Sequence, residues 1–115
     1  MNVDRERLIA RQVAGIIANY VCFLETADED SVNPDDAAKL LEYLAAEMGN
    51  LEKGFLRHLV DAFPLIAEEY DVEAQELVRS IPDGFYLEEA LAADDPVRLA
   101  ELEALRDAQD CAPAV

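Results

Sequence analysis

Residues 3–25 read VDRERLIARQVAGIIANYVCFLE, and this stretch decides the fold. Ile9, Val13, Ile16, Tyr20 and Leu24 recur at steps of three and four, and Ile17 and Val21 widen the stripe. That is the period of an amphipathic helix, not the alternation of a strand. Ala10, Ala14 and Ala18 add a row of small side chains that lets a neighbouring helix approach closely. A face this broad predicts that the first helix is the central element of a bundle. Residues 1–24 hold three Arg against two acidic side chains, which by subtraction leaves 24 acids and six bases for the remainder.

The chain downstream repeats the helical period. After the loop at 26–32, Asn33-Pro34-Asp35-Asp36 is a helix start: an N-cap acceptor, a proline at the first position, and two carboxylates at the positive helix end. The second helix runs from Pro34 to about Met48, with Ala37, Leu40, Leu41, Leu44 and Met48 as its stripe and Gly49-Asn50 as its end. Leu51, Phe55, Leu59 and Phe63 form the next stripe, and Ile66, Tyr70, Ala74, Leu77 and Ile81 fall on nearly the same face. One unbroken helix of about 30 residues would be roughly 45 Å long, too long for a domain whose radius of gyration should be about 13 Å. Pro64 also lacks an amide and crowds the carbonyl of Val60, so a break or sharp kink is expected near 62–64. Ser80 to Gly84 reads as a turn with Asp83-Gly84 at the positive-φ position. A short helix, Phe85 to about Ala92, follows it. Asp94-Asp95-Pro96 opens a last helix to about Ala108, whose narrow stripe is Val97, Leu99, Leu102 and Leu105 beside Arg106. The expectation is all-α: a single compact bundle of five or six helices over 1–109, with a frayed tail at 110–115.

With 115 residues the chain fits one domain, and its 52% apolar content is far above that of a disordered acidic tail. The net charge of −17 opposes binding to phosphate backbones or anionic lipid, so neither nucleic acid nor membrane is expected as a partner. The longest uncharged run, Gln12 to Leu24, has 13 residues against the roughly 20 of a membrane span. Asp4 and Glu6 among the arginines, with Asn19 inside the apolar run, do not read as an export signal, so a cytoplasmic setting is expected. Cys22 and Cys111 form neither a disulfide framework nor a C-x-x-C pair; Cys22 reads as a buried packing residue and Cys111 as an incidental tail thiol.

The chemical resource is carboxylate. Glu69, Glu73 and Glu76 share one face at i, i+4 and i+7 on a helix, with Glu68 nearby, a spacing able to hold a hard cation. A helix-bundle metal site also wants an inward Glu-x-x-His pair, whereas the residue three before His58 is Phe55, so a solvated acidic face is the expected role. The acidic loop Asp28 to Asp36 fits no calcium-loop register, because Asn33 or Pro34 falls where glycine belongs. His58 and Asp61, at i and i+3, have the spacing of an orienting pair, but no nucleophile context accompanies them. The four glycines never cluster into a phosphate cradle. No catalytic residue, cofactor or metal ligand is therefore expected. Phe85-Tyr86 beside the turn reads first as a core plug and second as a binding hot spot.

These features favour a non-catalytic protein-binding module that docks on a basic partner surface, with Glu68, Glu69, Glu73, Glu76, Phe85 and Tyr86 as its contact residues. Two forms of this module are expected, an inhibitor occupying the basic cleft of a nuclease-like toxin or a mimic of nucleic acid. In overall character the chain resembles small acidic helical immunity proteins, a likeness that rests on no motif and assigns no residues. A small ligand-binding or enzymatic bundle, its pocket drawn from Tyr20, Tyr43, Tyr70 and His58, is the alternative, as is a structural homodimer subunit.

Overall fold

The helix signals are satisfied locally before any packing is considered. Asn33 Oδ1 accepts hydrogen bonds from the amides of Asp35 at 2.8 Å and Asp36 at 3.4 Å, and Pro34 occupies the first turn. Glu52 does the same one helix later, accepting from Gly54 at 2.9 Å and Phe55 at 2.8 Å. Asp95 Oδ1 accepts from the Arg98 amide at 3.0 Å. Each bond fills one of the amides that a helix start leaves without a partner. The computed structural model describes residues 3–110. Among them are seven helices and no strand: α1 Val3–Thr26, α2 Pro34–Gly49, α3 Lys53–Ala67, α4 Val72–Arg79, α5 Ile81–Gly84, α6 Leu87–Leu91 and α7 Pro96–Asp110. The all-α bundle expected from periodicity is what the chain forms. The seventh helix is α5, a single turn where a non-helical turn was expected. Asp110 belongs to α7, and the tail expected to fray beyond it, with Cys111, lies outside the described residues.

The centre of the bundle is α3, not α1. Leu56, Leu59, Val60, Ala62, Phe63, Ile66 and Ala67 are all buried, and Phe63 is the largest side chain with no exposed surface. Each large side chain so buried contributes about 1.5–3 kcal/mol. α3 packs chiefly on α1, then on α4 and α6. The side of α1 that meets it is the alanine row: Ala10, Ala14 and Ala18 are fully buried, flanked by Ile17, Val21 and Leu24. Small side chains let the two backbones close up, so contact forms there. Ile9, Ile16 and Tyr20 of the expected core stripe are consequently left facing out. The window Asp4–Thr26 has a mean hydropathy of 1.3 and is long and apolar enough to cross a bilayer; in this fold its alanine side is core.

The expected interruption near Pro64 exists, but it falls four residues later. α3 continues through Pro64 to Ala67, and the chain turns at 68–71. Pro64 is exposed and costs one hydrogen bond, while the turn containing it buries Phe63, Ile66 and Ala67. That burial outweighs the lost bond. The turn is closed by amide bonds from Glu69 to Ile66 O and from Tyr70 to Ala67 O, and Gln75 Nε2 donates to Tyr70 O at 2.9 Å. Asp71 then starts α4 as its N-cap residue. With the chain turned back, the described residues have a radius of gyration of 15.2 Å.

At the next corner the positive φ sits on Tyr86, at 56°, not on Gly84. A left-handed conformation costs a side-chain-bearing residue about 1–2 kcal/mol. The cost is offset because the corner places Leu87 fully in the core and Phe85 against it.

Candidate functional site

The residues expected to form one acidic face are split by the turn at 68–71. Glu68 and Glu69 lie in the connection after α3, and only Glu73 and Glu76 lie on α4. All four are exposed. Glu69 stands 4.0 Å from Arg11 and Glu76 stands 3.8 Å from Arg79. Among the described residues no group of three or more His, Cys, Asp and Glu side chains is arranged to hold a metal ion. His58 does not face Asp61: its Nε2 lies 3.3 Å from Glu6 of α1, while Asp61 takes Arg57 at 2.7 Å. Arg57 also forks onto Glu88 at 3.0 and 2.9 Å, bonds that raise its pKa further above the usual arginine range. This pair ties α3 to α6. Cys22 is half-buried, and burial pushes its thiol pKa up, which disfavours the thiolate.

Phe85 and Tyr86 differ in burial. Phe85 packs on the core, whereas Tyr86 is exposed with Arg106 of α7 stacked over its ring at 3.8 Å. Arg106 Nε donates to Glu89 at 2.6 Å, and Nη2 donates to the Asp83 carbonyl at 2.8 Å. The bonds that Arg106 makes to the Glu89 carboxylate lower its pKa, against the opposing effect of burial. One arginine thus fastens α7, whose other anchors are buried Leu102 and half-buried Leu99.

The surface feature that sequence reasoning placed elsewhere is apolar. Ile9, Ile16, Tyr20 and Phe23 emerge along one side of α1, and Leu40 and Tyr43 emerge beside them on α2. Between the two helices lies a groove of about 290 Å³ lined by Ile16, Ile17, Tyr20, Leu40, Tyr43, Leu44 and Glu47. Its one charged lining residue is Glu47. Soluble monomers rarely expose a contiguous apolar face of this kind without using it. The sequence contained the signal: α1 carries two apolar rows, and a bundle helix in contact with one main neighbour covers one of them. A second groove, about 630 Å³ and more open, runs between α1 and the end of α3. Tyr70 closes it, donating to Asn19 Oδ1 at 2.8 Å, and burial raises the phenol pKa. Arg11 and Glu69 face each other across it, so its charges neutralise one another.

Comparison with known protein families, with curated proteins and with solved structures gives no match.

Proposed function

We propose that the protein is a non-catalytic docking module that binds a basic partner protein through its acidic helical surface. One observation carries this reading. Among the described residues no charged side chain is buried, so their core does not depend on carboxylates. Ion pairs among the described residues engage Arg11, Lys53, Arg57, Arg79, Arg98 and Arg106, which leaves the outward field dominated by unpaired acid. Self-repulsion from such a charge opposes compaction, and its compensating use is to steer a cationic partner and speed encounter. Glu68, Glu73 and Glu76 are the exposed contacts assigned to the partner, with Glu69 beside them. An inhibitor seated in the basic cleft of a nuclease-like toxin is the most specific form of the proposal. The setting that goes with it is the cytoplasm.

The test is binding to the protein recovered by cross-linking in the source cell. Its affinity should fall at least about tenfold between about 50 and 300 mM salt, because the attraction is screened. Reversal of Glu68, Glu73 and Glu76 to Lys should weaken it with unchanged helical content. A partner without a basic surface, or an affinity indifferent to both changes, refutes the proposal.

A further inference from the structure

We infer that a second copy of this chain covers the apolar α1/α2 face, in a twofold dimer whose α1 helices run antiparallel about Ile16. Ile9, half-buried Val13, Ile16, Tyr20 and Phe23 follow steps of four, three, four and three, the repeat of a coiled-coil seam. The seam is symmetric in its apolar ends. Ile9 and Phe23 each lie seven residues from Ile16, so antiparallel pairing sets Ile9 of one protomer level with Phe23 of its partner. That is the self-complementarity a twofold interface requires. Leu40 and Tyr43 widen the contact on one side.

Area and charge both select a second copy as the occupant. Ile16 is 70% exposed and Tyr43 61%. With the other four, the exposed residues present about 600 Å² of mainly apolar surface, so complete pairing removes at most about 1,200 Å², the size at which specific interfaces begin. α1 is net neutral, with Arg5, Arg7 and Arg11 against Asp4, Glu6 and Glu25, whereas α2 carries four acids against Lys39. A basic partner gains little at α1. Two copies of a chain with a charge of −17 repel least where α1 meets α1. Antiparallel pairing also brings Arg5, one turn before Ile9 on the same side, towards the partner's acidic loop at 28–30.

Sedimentation equilibrium of the full chain tests this. The wild type should be a dimer whose affinity rises with salt, as the long-range repulsion is screened. This is opposite in sign to docking on a basic partner, so the two proposals fail separately. Ile16→Glu and Tyr43→Glu should each weaken the dimer at least about tenfold with unchanged circular dichroism, since neither side chain is buried. Val97→Glu, an equally acidic change at an exposed site on α7, should leave it intact. In a cysteine-free background, Ile9→Cys and Phe23→Cys chains should cross-link to each other on oxidation more than to themselves. A wild type monomeric at every concentration and salt, or a dimer indifferent to Ile16→Glu, overturns the inference. Self-cross-linking of Ile9→Cys overturns the antiparallel geometry, and binding of the monomer to neutral phosphatidylcholine vesicles assigns the face to lipid instead.

Discussion

Enlarging a small residue of α1 should damage this protein more than truncating a large one. Ala14 is 0% exposed on the contact with α3, and Ile16, two residues on, is 70% exposed. Ala14→Leu adds three carbons where the backbones are in close contact, and overpacking of that kind costs about 1–3 kcal/mol. For a domain of this length that lowers Tm by about 4–12 °C, at about 4 °C per kcal/mol. Ile16→Ala removes a side chain with less than a third of its surface covered, so about 0.5–1 kcal/mol of burial is lost. Alanine's better helix propensity returns about 0.4 kcal/mol, leaving a net change within about 0.5 kcal/mol. The assay is urea unfolding followed by far-ultraviolet circular dichroism, at chain concentrations low enough that the midpoint no longer depends on concentration. Ile16→Ala destabilising the monomer as much as Ala14→Leu would show that the isoleucine, not the alanine row, faces α3. The account of the exposed face would then be wrong.

Three further changes probe the local arguments. Pro64→Ala restores an amide to an already continuous helix; against the proline's interior cost of about 3 kcal/mol and its stiffening of the unfolded chain, a gain of about 2 kcal/mol in urea is expected, and a loss would refute the account of α3. Glu52 is held below its ordinary pKa by the amides of Gly54 and Phe55, so its contribution is present above the ordinary glutamate pKa of about 4.3 and lost as pH falls through the lower folded value. Glu52→Gln should therefore be less stable at neutral pH and show a shallower loss of stability on acidification; an identical acid limb would remove Glu52 as a cap. Arg106→Ala removes the fork onto Glu89 and the cover over Tyr86, which should cost about 1 kcal/mol and expose α7 to a glutamyl endopeptidase before the other helices. Uniform cleavage kinetics would place the hold on α7 elsewhere.

Helix starts were legible because their chemistry is local. Asn33 with Pro34, and Asp95 before Pro96, need only their own next three residues to satisfy free amides, and both act as read. Glu52 was not legible as a cap because the apolar period extends back to Leu51, which places Glu52 inside the stripe although the helix begins at Lys53. The acidic face failed as a single unit for a non-local reason. Glu69 and Glu73 are one turn apart only if the helix is continuous, and the chain turns between them once Ile66 and Ala67 have entered the core. Tyr86 took the left-handed position for a similar reason, since Leu87 beyond it is pulled inside.

The amino-acid order alone determined that this chain is helical and where most of its helices begin, because periodicity and capping act over a few residues. Which of the two apolar rows of α1 became interior was a tertiary decision. Hydrophobicity ranks Ile9, Ile16 and Tyr20 above Ala10, Ala14 and Ala18, but helices pack by how closely their backbones approach, and the alanines allow the closer approach. The exposed seam, the helix break at 68–71 and the central place of α3 follow from that contact between distant parts of the chain.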